Sequence, residues 1–172
     1  MNLQATDFEL FGLPERFEQD RAAIDAQWKE LQREAHPDRF AAQGAAAQRV
    51  ALQWSVRINE GYQRLKDPLK RAAYLCELRG APIDAERNTA MPREFLLEQM
   101  HWREELEAAA CESDLDVLHE ELASARKAAI AAIAAALDQH NDPGAAAQQV
   151  RALMFIERFA HDVEKRLEQL GQ

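Results

Sequence analysis

Residues 31–40 read LQREAHPDRF, and the fold turns on how this stretch is parsed. The residue before a proline avoids the α region, so His36-Pro37-Asp38 ends whatever helix precedes it. Upstream, Asp20 is a suitable N-cap for a helix reaching about Ala35, with Ile24, Trp28, Leu31 and Ala35 on one stripe. Downstream, Ala51, Ser55, Ile58, Tyr62 and Leu65 share one face of a helix running from about Ala42 to Lys66. Two long amphipathic segments joined by a short break predict an antiparallel helical hairpin with His36-Pro37-Asp38 at its turn.

Working outward, Asp7 to Leu13 has room for one or two helical turns before Gly12 and Pro14 end it. Asp67-Pro68 stops the second long helix, and Pro68 suits the first turn of a short helix to Arg79. These short flanking helices are expected to cover the open side of the hairpin. Gly80-Ala81-Pro82 then reads as a boundary, because Gly follows a helix and Pro cannot continue it. We therefore expect a first domain over 1–80, a linker over 81–90 and a second domain over 91–172. In the second, Pro92 opens a helix from about Met91 to Ala110. Ser113 is a candidate cap for a helix over 114–140, and Asn141-Asp142-Pro143-Gly144 is a turn before a last helix to Leu170. Three helices with short loops predict a three-helix bundle.

Composition agrees with an all-α chain. Of 172 residues, 33 are alanine, while Val, Ile and Thr together supply 13, too few for an extensive sheet. The net charge is −9, and it is uneven. Residues 1–80 hold 12 basic and 12 acidic side chains, residues 81–172 hold 9 and 18. Such an acidic chain is a poor general ligand for nucleic acid, whose phosphates need Lys and Arg. No run of 18 apolar residues exists, so no membrane span is expected. The opening MNLQATDFEL lacks a basic start and an apolar core, so a secretory signal is not expected and a cytoplasmic protein is. Cys76 and Cys111 are far apart in sequence, which excludes a CxxC zinc site or a disulfide framework. Cys76, Cys111, His101 and His119 have no ligand-like spacing. Neither a metal nor a cofactor is expected.

The triplet does not stand alone. FELFGLP (Phe8 to Pro14), LQREAHPDRF (Leu31 to Phe40), the pair Ile58-Asn59 and DPLKRAAYL (Asp67 to Leu75) follow one another, and EFLLEQMHWREELEAA (Glu94 to Ala109) lies in the second half. In this order and spacing the chain resembles the HscB-type J-domain co-chaperones of iron–sulfur cluster assembly, over nearly its whole length. No Gly/Phe-rich linker and no CxxCxGxG repeat is present, which separates it from the general DnaJ type.

The resemblance implies a J-domain that docks on an Hsp70 partner (HscA-like) and stimulates its ATPase. It also implies a C-terminal bundle that delivers an iron–sulfur scaffold (IscU-like), with no catalysis by the chain itself and no nucleic-acid or membrane partner. The Hsp70-facing residues would be His36, Pro37, Asp38, Lys29, Arg33 and Arg39. Pro37 fixes the loop backbone, Asp38 offers a carboxylate for bidentate pairing with an arginine, and His36 offers a hydrogen-bond donor and a ring to pack. Alternatively the triplet is a plain turn in which Asp38 caps the next segment, and Lys29 and Arg33 are a solvated helix face beside Glu30 and Glu34. Family members often carry an aromatic where this chain has Ala35.

A second candidate surface follows from helical angle. At about 100° per residue, Phe95, Trp102 and Leu106 align within about 40°, while Leu96, Leu97 and Met100 centre roughly 150° away with Glu104 beside them. A bundle helix needs one core stripe, so the second face is surplus. On the last helix Leu153, Ile156, Ala160, Val163 and Leu167 make the stripe, and Phe155 lies roughly 110° off it. The scaffold-binding surface of HscB-type proteins matches Leu96, Leu97, Met100, Glu104 and Phe155, whereas at His101 the family leads one to expect an acid. Competing readings are a helical adaptor without an Hsp70 role, for which Asp38 is dispensable, and an enzyme, for which no Ser or Cys nucleophile accompanies His36 and Asp38. A monomer is expected, and Trp54, roughly 60° off its helix's stripe, has no assigned role.

Overall fold

The computed structural model describes residues 2–171, and among these there are α-helices and turns and no strand. The chain is all-α and divides into two compact units, Met1–Leu75 and Cys76–Gln172.

In the first unit the helices are α1 (Asp7–Phe11), α2 (Arg21–Ala35), α3 (Ala45–Lys66) and the start of α4 (Pro68–Leu78). The Thr6 hydroxyl accepts the Glu9 N–H at 3.1 Å to start α1, and Gly12 ends it at φ +64°, a left-handed position that favours glycine. Asp20 caps α2 by accepting the Ala22 N–H at 3.0 Å. The hairpin is antiparallel, as its side-chain pairs show. The Tyr62 hydroxyl donates to Asp25 at 2.7 Å, the Trp28 indole donates to Asn59 at 3.0 Å, and the Ser55 hydroxyl donates to Gln32 at 2.8 Å. Trp28 also stacks on Tyr62 with ring centroids 4.6 Å apart. Beneath this polar seam Ile24, Leu31, Ile58 and Leu65 are buried together with Phe8, Phe11 and Phe17.

Two buried charges lock the short helices to the hairpin. Asp7 is fully buried and accepts from Arg57 at 2.7 Å and from Arg64 at 2.9 Å, while its backbone N–H donates to the Tyr74 hydroxyl at 3.0 Å. Arg71, from the DPLKRAAYL segment, donates to the Phe17 carbonyl at 2.6 Å. A charge without water persists only where hydrogen-bond partners surround it, and both are so surrounded.

The start of α3 differs from expectation. Pro37–Gln43 forms a 3-10 turn, Gly44 follows at φ +100°, and α3 begins at Ala45 rather than near Ala42. The left-handed glycine interrupts the helical path, which alanine spacing alone conceals.

The second unit holds α5 (Arg93–Ala108), α6 (Glu112–Ala134) and α7 (Pro143–Leu170). Its core is built from Leu115, Leu118, Leu122 and Ile133 of α6 against Val150, Leu153, Ile156 and Val163 of α7, with Phe95 and Trp102 of α5. Asp142 caps α7 through the Ala145 N–H at 3.1 Å. The cap expected at Ser113 is not formed. The helix starts one residue earlier, and Asp114 instead reaches back to accept the Ala110 N–H at 3.1 Å. The end of α6 widens into a π-helical turn over Ala135–Gln139, where Arg79 donates to the Leu137 carbonyl at 2.7 Å.

Residues 81–90, expected as a linker, are tied to this unit. Arg151 is 5% exposed and donates to the carbonyls of Ile83 and Ala90, each at 3.0 Å. An arginine on α7 thus satisfies backbone that has no helix of its own, a long-range contact that local composition does not reveal.

Candidate functional site

Pro37 ends α2 and leaves His36 extended at φ −62°, ψ 128°. The histidine then does what the plain-turn reading assigned to Asp38. Its Nδ1 accepts the Asp38 N–H at 3.2 Å and so caps the 3-10 turn, while its carbonyl accepts the Arg39 N–H at 3.0 Å. A neutral ring that accepts at Nδ1 carries its proton on Nε2, and that donor belongs to a side chain 57% exposed. The Asp38 side chain, relieved of any capping duty, is 92% exposed.

Lys29, Arg33 and Arg39 are all exposed on the side of the turn. They are not equivalent. Arg33 forms an ion pair with Glu30, one helical turn before it, and the Arg39 guanidinium donates to the Arg33 carbonyl at 3.4 Å. The pairing holds the Glu30 carboxyl below the usual carboxylate range. Much of the charge of Arg33 is therefore balanced within its own helix, and exposed pairs of this kind are weak and salt-screened.

Behind the turn lies an apolar groove lined by Ala35, Phe40, Val50, Ala51 and Trp54. Trp54 thus belongs to the wall of this groove. Ala35 is 3% exposed at its edge, so the small residue before the triplet leaves open a space that an aromatic side chain would enter.

The second candidate surface is split by the structure. Leu96, Leu97 and Met100 are 50%, 69% and 59% exposed, and Glu104 is exposed beside them. Phe95 and Trp102 face the core, with Leu106 half-buried. Phe155 is half-buried rather than fully displayed. It meets Phe95 edge-on at 5.8 Å and stacks on Phe159 at 5.7 Å, and the Arg103 guanidinium covers it at 5.6 Å from the ring centroid. Phe159, buried at 6% exposure, was missed by the stripe that selected its neighbours Ile156 and Ala160. Its spacing of four residues from Phe155 is the signal that pairs them.

One cluster escaped the sequence search. The His101 Nε2 lies 3.0 Å from Glu105 on α5 and 3.7 Å from Glu121 on α6. Burial and the neighbouring Glu121 raise the Glu105 carboxyl above its ordinary range. The four-residue spacing of His101 and Glu105 was legible, but Glu121 reaches them only through helix packing. The residues weighed with His101 do not join it among the described residues: Cys76 is buried and Cys111 exposed elsewhere.

Comparison with known proteins bears on both surfaces. Residues 91–164 match the family described as HSCB C-terminal oligomerisation domain. The chain is 47% identical to the co-chaperone protein HscB homolog of Burkholderia thailandensis, covering 99% of this chain and 98% of that protein. It is 48% identical to the homolog of Burkholderia multivorans over the same shares. Among solved structures, the chaperone HscB from Vibrio cholerae superposes with a TM-score of 0.80 at 37% identity, covering 96% of this chain and 99% of that one. Human co-chaperone HscB shares the fold, with a TM-score of 0.85 at 24% identity over 96% of this chain and 84% of that chain.

Proposed function

The chain belongs to the HscB family of co-chaperones, a family of iron–sulfur cluster assembly, and from that premise we propose that it delivers an IscU-like scaffold to an HscA-like Hsp70 and stimulates the Hsp70 ATPase. The observation that carries the proposal is the division of labour within the His-Pro-Asp turn. His36 caps the turn, so the Asp38 carboxylate stays 92% exposed for an arginine of the partner. Lys29, Arg33 and Arg39 stand beside it as the basic side of the contact, Arg33 contributing least because Glu30 already holds it. This role belongs to the first domain, residues 1–80. The scaffold role belongs to residues 91–172, through Leu96, Leu97, Met100, Glu104 and Phe155. The chain works as an adaptor in the cytoplasm and performs no catalysis.

The test is the steady-state ATPase rate of the Hsp70 with and without this protein. Parent protein should raise the rate and Asp38→Asn should not, with helicity and melting temperature unchanged. Full stimulation by the variant would refute the assignment. A helical adaptor without an Hsp70 role predicts that refuting result.

A second reading concerns assembly. The matched family is described by oligomerisation, and the exposed Leu96, Leu97 and Met100 would serve a second copy as well as a scaffold. Light scattering on the purified chain separates a monomer, the expectation from the sequence, from a dimer that the Leu97→Glu variant dissolves.

A further inference from the structure

We propose that His101, Glu105 and Glu121 form a binding site for one divalent first-row transition-metal ion, bridging α5 and α6. The three side chains offer one imidazole nitrogen and two carboxylate oxygens, all within 4.8 Å of one another. The spacing suits such an ion. A tetrahedral ion with bonds of about 2.0–2.1 Å places its ligand atoms about 3.3 Å apart. The His101 Nε2 stands 3.0 Å from Glu105 and 3.7 Å from Glu121, on either side of that value. His101 and Glu105 are one helical turn apart, so a single ion reaches both without distorting α5.

A second observation points to a cation. The Glu105 Oε2 is buried and has no hydrogen-bond partner. A carboxylate oxygen withdrawn from water and left unmatched is costly. An ion pair with a protonated His101 would meet one carboxylate charge and leave the other. A divalent cation meets both and accepts the imidazole as a neutral ligand. Imidazole with carboxylate suits zinc, iron, nickel or copper rather than calcium or magnesium, which take oxygen ligands. Three protein ligands leave a fourth position open toward solvent, since His101 is 57% exposed. The site lies one turn beyond Leu97 on α5, beside the exposed patch.

The experiment uses the full chain without a purification tag, stripped of metal by a chelator and exchanged into chelator-free buffer. Zinc chloride is titrated calorimetrically at neutral pH, and bound zinc is counted by elemental analysis. One zinc per chain is expected. His101→Ala and Glu121→Gln should each weaken binding at least tenfold, while Cys111→Ser and His119→Ala should bind as the parent does. Circular dichroism of the metal-free variants should match the parent, since His101 is exposed and Glu121 keeps its shape as glutamine. Zinc should raise the melting temperature of the parent and not that of His101→Ala. Failure of the parent to take up stoichiometric zinc overturns the site and leaves the three side chains an ion pair. Retention of binding in both site variants, or its loss in Cys111→Ser or His119→Ala, overturns it equally.

Discussion

The imidazole Nδ1 of His36 accepts the backbone N–H of Asp38 at 3.2 Å, so one residue of the triplet shapes the turn that displays the other. This separates two kinds of variant. Asp38→Asn removes charge and leaves the cap, whereas His36→Ala removes the cap and leaves the charge. Losing a side-chain cap typically costs about 1 kcal/mol, here confined to the turn over Pro37–Gln43. Amide exchange at Asp38 and Arg39 should quicken in His36→Ala and stay at the parent rate in Asp38→Asn, while both variants lose Hsp70 stimulation. Unchanged exchange in His36→Ala would show that the cap is dispensable.

Gly61→Ala should destabilise the first unit, although alanine is the better helix former by about 1 kcal/mol. A Cβ at this position of α3 would stand 3.1 Å from the Phe11 ring, 3.2 Å from an Asp7 carboxylate oxygen and 3.3 Å from the Arg57 guanidinium. Phe11 is 1% exposed, and Asp7 and Arg57 are held in a buried ion pair, so none can retreat freely. The expected loss exceeds the propensity gain. It reads as a lower denaturant midpoint, and a raised midpoint would show that α1 shifts without cost.

The hairpin, its capping Asp20 and the turn at His36-Pro37-Asp38 were legible because each rests on a local rule: a period of 3.6, a capping side chain, a proline. The all-α class and the exposure of Leu96, Leu97 and Met100 followed from the same angular reasoning. What stayed hidden was long-range. Nothing in the sequence near residues 81–90 says that Arg151 will bind their carbonyls. Nothing near Phe155 says that Phe95 and Phe159 will close over half of its ring, nor near His101 that Glu121 will face it. Gly44 was visible as a residue, but only the backbone shows that it delays α3 to Ala45.

The two cysteines should react very differently. Cys76 is fully buried, and burial pushes its thiol up to about 11, whereas Cys111 is exposed. The thiolate is the reactive species, so a disulfide reagent at pH 8 should titrate one thiol in the folded chain and two in guanidinium. The raised value carries a sign for stability. The folded state holds the Cys76 proton more tightly than the unfolded state does. Its contribution is therefore intact below the ordinary thiol value of 9.0 and is lost as pH rises through about 11. Relative to Cys76→Ala, the parent should lose stability across that alkaline window. Two fast thiols in the folded chain would show that the site is open to solvent.

The patch on α5 calls for two variants rather than one, because its residues are packed differently. Leu96 and Leu97 are 50% and 69% exposed, so truncating both to alanine should leave thermal unfolding near that of the parent. Truncating a contact anchor costs on the order of 1–3 kcal/mol of binding, so the pair should weaken scaffold affinity more than tenfold. Phe155 stands between the two roles. Its ring is half-buried against Phe95 and Phe159, so Phe155→Ala removes core contacts as well as a binding surface. A fully buried Phe→Ala change costs about 3–5 kcal/mol, and a half-buried ring should cost on the order of 2 kcal/mol. Its melting temperature should therefore fall while that of the double leucine variant does not, with scaffold binding, measured by calorimetry below both transitions, weakened in each. A sharp drop in stability for Leu96→Ala with Leu97→Ala would place these leucines in the core. Undiminished binding by that variant would move the scaffold site off this face of α5 altogether.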